Sequence, residues 1–266
     1  MKPNLADAFD FSGKHVFVAG GSSGINLAIG EAFARLGARV ALASRSPERV
    51  EAAAAGLRDL GAEAAGFSAD VRDPEAIRAA LGGAAERFGP IDVLISGAAG
   101  NFLAPATGMS ANGFRTVVDI DLNGTFNVLR GAHEFLRKPG AAILNISAPQ
   151  SINPTAFQAH VCAAKAGVDM VTRVGALEWG GAGVRVNSVV PGPIDGTEGM
   201  DRLAPTEASR KAVTDSVPLG RFGTPQEIAD CCLWLSSPMA AYVSGAIIPV
   251  DGGWSLGGAS SLGKGF

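Results

Sequence analysis

Lys14 to Ala19 (KHVFVA) is a short apolar run that ends abruptly in Gly20-Gly21-Ser22-Ser23-Gly24-Ile25-Asn26, after which helix-like periodicity extends to Leu36. Such a run, bounded by glycines, is a buried strand. A strand that passes through a glycine turn into a helix forms a seat for an anion. The glycines let the backbone approach a pyrophosphate, and the free N–H groups and dipole of the helix start favour negative charge. Gly20, Ser22, Ser23, Gly24 and Ile25 are the candidate phosphate ligands, with a plain tight turn as the alternative. Asn26 stands where a third glycine is usual; its tolerance of left-handed backbone angles keeps the turn possible.

The same alternation repeats along the chain. Strands are expected at Arg39–Ala43, Ala64–Ala69, Ile91–Ile95, Ala141–Ser147, Val184–Val190 and Ile247–Val250. Helices are expected from Ser46 to Leu60, Pro74 to Phe88, Ser110 to Phe135, Ala156 to Trp179 and Thr224 to Leu235. Ser46-Pro47-Glu48 and Thr224-Pro225-Gln226-Glu227 read as capped helix starts. The pattern implies an α/β fold, a doubly wound parallel sheet of Rossmann type with about seven strands and helices on both faces. With 266 residues, 47% of them hydrophobic, the chain suits a single domain over 1–266. The polar segment 195–217 reads as a flap over a site, and the Gly/Ser-rich 255–266 as a loose tail.

Net charge is −3 with no basic block, which argues against nucleic acid and anionic membrane as partners. Three cysteines, two of them adjacent, give neither a disulfide framework nor a metal-ligand spacing. No apolar run reaches the roughly 18 residues of a membrane helix. The first residues, MKPNLADAFDFSGK, lack the apolar core of a signal peptide, and the closing Gly263-Lys264-Gly265-Phe266 is not an SKL-type address. A cytoplasmic location is the resulting expectation.

Three strand ends add to the cofactor reading. The second strand ends in Ser44-Arg45-Ser46, where an NAD enzyme usually carries an acid for the ribose 2′-OH. Arg45, flanked by hydroxyls, suits a 2′-phosphate instead, so NADP(H) is preferred over NAD; a solvated arginine at a helix start is the alternative. The third strand ends at Asp70-Val71-Arg72, where Asp70 either meets the adenine or caps a helix. After the fourth strand, Ser96-Gly97-Ala98-Ala99-Gly100-Asn101-Phe102 is small enough to leave room for a bound group, with Ala98 among its lining residues.

Taken in order, GGSSGI, DV, AAG, NIS, AAKAG, RVNSVVPGPI and SGAIIPVDGG resemble the short-chain dehydrogenase/reductase family over nearly the whole chain. The resemblance implies a Rossmann-type homotetramer or homodimer with a catalytic lysine, here Lys165. It also exposes three departures: Val161 replaces the family's tyrosine, Ala148 stands where a serine is expected, and Asp121 where an asparagine is expected. The single tyrosine of the chain, Tyr242, lies in the segment before the last strand. One branch is built this way. AAGNF, DIDLNGTFNV, LEWG and PGPIDGTEGMDRL look like the 2,4-dienoyl-CoA reductases of the peroxisomal type, which reduce dienoyl-CoA thioesters with NADPH. By that resemblance Asp121 and Lys165 are catalytic, while Arg72, Phe102, Ser110 and Arg202, with Asn101, lie near an acyl-CoA substrate. Val71, Pro191, Gly192 and Ile194 then belong to the cofactor site, with Thr197 on the nicotinamide amide.

The chemistry is compatible with losing the tyrosine. A dienoyl thioester takes hydride at its far carbon, and charge spreads to the thioester oxygen. The proton goes to carbon, some distance from the usual acid, so a water shared by Asp121 and Lys165 can supply it. Asn101, Ser147 and bound water are candidate donors to the thioester oxygen. Arg72 and Arg202 either hold the anionic CoA part or are plain surface arginines. His160 reads as a packing residue before a proton carrier, Cys162 as a small core residue, and Asp251 as either a site or a turn acid. Two other functions stay open: an alcohol or ketone oxidoreductase using Ser147 or His160 as acid, and a catalytically silent NADP-binding protein.

Overall fold

Along β1 (His15–Ala19), Val16 and Val18 face one layer of helices while Phe17 and Ala19 face the other, and all are buried. A strand covered on both sides has no polar face, which is why the run reads as continuously apolar. The computed structural model describes residues 7–259. Six further strands join β1 in one parallel sheet: β2 (Arg39–Ser44), β3 (Ala64–Ser68), β4 (Val93–Ser96), β5 (Ala142–Ile146), β6 (Arg185–Pro191) and β7 (Ile247–Val250). Their order is β3-β2-β1-β4-β5-β6-β7. The chain therefore winds outward one way from β1 and returns to wind the other way from β4. The carboxyl ends of β1 and β4 flank the resulting crevice, the place where ligands bind in such sheets.

On one face, Ile29 and Phe33 of α1 (Gly24–Arg35), Val50 and Leu57 of α2 (Pro47–Asp59) and Ile228 and Leu235 of α9 (Pro225–Ser236) pack on Val40, Leu42 and Ile95. On the other, Ile77 and Leu81 of α3 (Pro74–Phe88) and Val128 and Leu129 of α5 (Gly124–Ala132) pack on Ala41, Leu94 and Ile143. Helix starts follow local chemistry. Asp73 accepts from Glu75 N and Ala76 N ahead of Pro74, and Ser46 Oγ accepts from Arg49 N ahead of Pro47. Among the described residues no helix is long and apolar enough to cross a membrane.

Three expected elements differ. The single helix expected from Ser110 to Phe135 is α4 (Ala111–Val118), a π-helical turn over Asp119–Asn123, and α5. The wide turn closes on a Gly124 N to Asp119 O bond and inserts an extra residue into the ladder, a feature frequent at functional sites. The helix expected from Ala156, α6, instead spans Ala159–Trp179, because Phe157 has a left-handed φ of 66° that no helix start tolerates. Ile91 bridges Leu136 outside β4, which begins at Val93. Within the expected flap lie α7 (Glu198–Leu203) and α8 (Glu207–Ser216), the latter opened by a Thr206/Ser209 capping box. Residues Trp254–Ala259 form a short 3-10 turn; the rest of the expected tail, 260–266, and residues 1–6 lie outside the described residues.

The expected capping box of α9 is present: Thr224 Oγ1 accepts from Glu227 N, and the Glu227 carboxylate accepts from Thr224 N at 2.8 Å. Arg221 also bonds Glu227, at 2.6 Å, and the carboxyl is pulled from 4.5 to about 2, chiefly by that guanidinium. A carboxyl depressed on folding contributes stability above its ordinary value of 4.5 that is lost as pH falls through about 2. The decline of Tm across that acid window should be shallower in Glu227→Gln than in the wild type. Equal slopes in thermal scans would remove this carboxylate from the acid lability.

Candidate active site

Lys165 on α6 is 5% exposed, and its Nζ donates to Ile146 O at 3.1 Å at the carboxyl end of β5. The same ammonium lies 3.3 Å from Asp121 Oδ2. Asp121 is 1% exposed, turned inward by the π-helical turn, and its Oδ1 accepts from Gly100 N at 2.7 Å. The approach of Nζ to Oδ2 is poorly aligned for a hydrogen bond, so that oxygen has a charge partner but no donor. Asp119, two residues away, is instead bonded by Asn123 Nδ2 at 2.8 Å. Thus only Asp121 faces the lysine, as the spacing required. Val161, one turn before Lys165, is a buried apolar wall. Tyr242 is fully exposed in the loop before β7, beside a cavity of about 620 Å³ lined also by Lys14, Asp92 and Arg185. Those residues sit around the amino ends of β1, β4 and β6, so that cavity is remote from the Asp121–Lys165 pair although it is larger than the one beside Arg72.

The glycine turn fits a dinucleotide phosphate group. Ser23 stands at the N-cap of α1 with no side-chain cap bond, leaving the first N–H groups of a 12-residue helix open. A Cβ on Gly24 would meet nothing within 4 Å, whereas one on Gly20 would meet the Ala98 backbone at 2.8 Å. Gly20 thus seals β1 against β4 while Gly24 faces open space. Ile25 packs against the core, and Ser22 Oγ donates to Ser44 Oγ at 2.9 Å, joining the turn to the end of β2. Arg45 beside it is exposed. Asn26 corrects the expectation: its backbone is helical, not left-handed. Its Nδ2 donates to Gly97 O at 2.8 Å and Gly20 O at 3.3 Å, so the amide stitches the two loops together.

Several expected ligands are engaged within the protein. Asp70 does not cap α3; Asp73 does. Arg72 bonds Asp70 at 2.6 Å and holds that carboxyl below the usual carboxylate range. Arg72 also lines a cleft of about 440 Å³ with Asp119, Asn123 and Asn127. The Val71 carbonyl accepts from Asn127 Nδ2 at 3.0 Å, and its side chain packs where a Cβ on Gly124 would fall. Pro191 ends β6, and Gly192 lets Asp251 approach: a Cβ there would meet Asp251 Cα at 2.6 Å. Ile194 is buried; Thr197 Oγ1 donates to its carbonyl at 3.0 Å and caps α7. Both Asp251 oxygens accept backbone N–H groups, from Gly253 and Ser255, which makes it a turn acid. Arg202 is exposed and pairs with Glu198 at 3.4 Å.

Phe102 and Ser110 do come together: a Cβ on Gly113 would sit 3.0 Å from Phe102 Cζ and 3.2 Å from Ser110 Oγ. Phe102 also meets the His160 ring edge-on at 4.3 Å. His160 is fully buried, and its Nδ1 accepts from Val161 N, so the ring satisfies one of the free donors in the first turn of α6. Sequence reasoning missed Gln150 and Gln158. Gln150 Nε2 donates to Gln158 Oε1 at 2.9 Å, and Gln158 Nε2 donates to Asn101 Oδ1 at 3.2 Å. Local spacing carried no signal, since the bond from Gln158 to Asn101 spans 57 residues. Ser147 Oγ, Gln150 Oε1, Ser151 Oγ and His160 Nε2 are buried without a hydrogen-bond partner, in one stretch around the Lys165 site. Orphaned buried polar atoms are costly, and their gathering here suits a site completed by polar ligand atoms or water.

Residues 19–255 match the family model described as enoyl-(acyl carrier protein) reductase. The peroxisomal 2,4-dienoyl-CoA reductase [(3E)-enoyl-CoA-producing] of Rattus norvegicus is 49% identical over 90% of this chain and 83% of that protein. The protein of the same name from Arabidopsis thaliana is 42% identical over 91% and 84%. These peroxisomal names give the cytoplasmic expectation no support. A short-chain type dehydrogenase/reductase from Mycobacterium marinum superposes with a TM-score of 0.87 at 30% identity, over 94% of this chain and 99% of that one. The strand order, the glycine turn, the lysine on α6 and these matches have one reading: the chain belongs to the short-chain dehydrogenase/reductase family, whose fold binds a nicotinamide cofactor.

Proposed function

We propose that this protein reduces a 2,4-dienoyl-CoA thioester with NADPH, taking the proton from a water held by Asp121 and Lys165. The observation that carries the reading is the buried Asp121–Lys165 pair at 3.3 Å beside an apolar Val161 where the family has its tyrosine. The names of the relatives support the same substrate class.

The bound nicotinamide supplies the hydride. Lys165, fixed by Ile146 O, is placed to hold ribose hydroxyls and to polarise a neighbouring water. Asp121 Oδ2, without a hydrogen-bond donor of its own, accepts from that water and orients it. The water gives its proton to carbon, and the hydroxide left behind is stabilised by the ammonium until solvent reprotonates it. Asn101 and Ser147 offer donors to the thioester oxygen as charge reaches it. Ser22, Ser44 and Arg45 gather where a 2′-phosphate would lie, which supports NADPH over NADH.

The test measures NADPH oxidation against a dienoyl-CoA and a ketoacyl-CoA side by side. Turnover of the dienoyl thioester alone is expected. Turnover of the ketone alone would replace this reading with a ketoreductase that uses Ser147, whose hydroxyl is buried and free, as its acid.

A further inference from the structure

Gln158 is 2% exposed and stands at the start of α6. It is preceded by Phe157, the only non-glycine residue with a positive φ among the described residues. A left-handed residue of this size persists only when its surroundings hold it, and such strain gathers at working sites. Here it has two consequences. The Phe157 carbonyl turns to accept from Ala104 N at 3.0 Å, and the Gln158 side chain turns inward to Asn101. Two bonds therefore fasten the loop 97–104 to the segment 149–158. Gly100, whose N–H holds Asp121, lies in that loop next to Asn101.

The direction of the amide chain matters. Gln150 donates to Gln158, and Gln158 donates to Asn101, so the buried end of the chain is a carbonyl oxygen, Gln150 Oε1, without a partner. Running the chain the other way would bury an NH2 group with two unsatisfied N–H bonds, which is the less tolerable orphan. In the observed sense the oxygen of Asn101 is occupied, and its NH2 is the part left for the exposed side.

We propose that Gln158, braced by Gln150, is a positioning residue that locks the Asn101 carboxamide with its NH2 toward the substrate's thioester oxygen. The proposal rests on the dienoyl-CoA reading. It adds no covalent step; it fixes which end of an amide meets the charge that the hydride sends to that oxygen.

Gln158→Glu tests it with almost no change of shape. The introduced carboxylate still accepts from Gln150 but has no proton for Asn101. Asn101 then turns its NH2 to the carboxylate and presents its own oxygen to the substrate. At neutral pH kcat is expected to fall about 100-fold, the usual effect of losing one such donor. The KM for NADPH should not change. Activity should return as pH is lowered and the buried carboxylate, whose pKa is raised by desolvation, takes up a proton; the wild type should show no such rise. Gln158→Met, which neither donates nor accepts, should lose kcat without recovery in acid. Calorimetric binding of a saturated acyl-CoA should be retained by both variants. If wild type turns over dienoyl-CoA while either variant keeps its kcat, or if the losses are matched by weaker NADPH binding and lower Tm with no acid recovery, positioning by Gln158 is wrong. If wild type itself fails on dienoyl-CoA, the functional reading falls, and this proposal with it.

Discussion

Asp121→Asn is expected to lower kcat on a dienoyl thioester by about 10²–10⁴-fold, the range for removing a group that manages the transferred proton. The neutral amide keeps an oxygen for Gly100 N, so the loop stays in place, but it no longer offsets the ammonium of Lys165. Both partners are more than nine-tenths buried, so the variant strands a charge in the interior. Breaking such a pair from one side costs roughly 3–5 kcal/mol. Tm should fall accordingly, and adding Lys165→Met should recover part of it, because the stranded charge is then gone. Turnover should not recover in the double variant, since neither water-holding group remains. Stability thus rises in the second step while activity does not. Thermal unfolding and steady-state kinetics on the four proteins of the cycle measure both. Turnover of Asp121→Asn within a few-fold of wild type would leave the pair with a structural role alone.

The second large effect is expected at Arg45. Arg45→Asp should lower kcat/KM for NADPH about 10–100-fold, the equivalent of a charge-assisted hydrogen bond. Activity with NADH should rise, because the new carboxylate can accept from a ribose 2′-OH where the proposed reading sets Arg45 against a phosphate. Arg45 is exposed at the end of β2, so folding should be little affected. The neighbouring Asp70 stays held by Arg72. The ratio of the two kcat/KM values is the readout. An unchanged ratio would make Arg45 the solvated surface arginine that its sequence position also allowed.

Much of the fold was legible because it depends on local periodicity and capping. Pro74–Phe88 is a helix with the bounds its pattern implied, and Thr224 and Glu227 form the box their spacing required. The strands were readable from short apolar runs between glycines. What was not legible depends on distant partners. Nothing in DIDLN announces a π-helical turn; the local pattern stays helical, and the widening accompanies the burial of Asp121 against Gly100 and Lys165. Phe157 is a residue type that avoids left-handed angles, so its backbone could only be seen once Ala104 and Asn101 were in place beside it. Asn26 breaks the glycine pattern, and its role lies in the side-chain amide rather than in backbone tolerance, a role that only the loop at Gly97 reveals. The closeness of Asp121 and Lys165 was legible because motif and chemistry agreed on it, while the bonds of Gln150 and Gln158 that reach Asn101 left no trace in the local pattern.

The Asn26 amide has a mechanical meaning for the whole centre. It grips the carbonyl of Gly20 in the phosphate turn and that of Gly97 at the root of the loop that carries Gly100 and Asn101. Gly100 in turn holds Asp121. The glycine turn after β1 and the loop that holds Asp121 are therefore joined through one side chain, with Asn26 as the pin. Replacing the Asn26 amide would take the same donor from two carbonyls in two loops at once, and with it the tie between the glycine turn and the loop that holds Asp121.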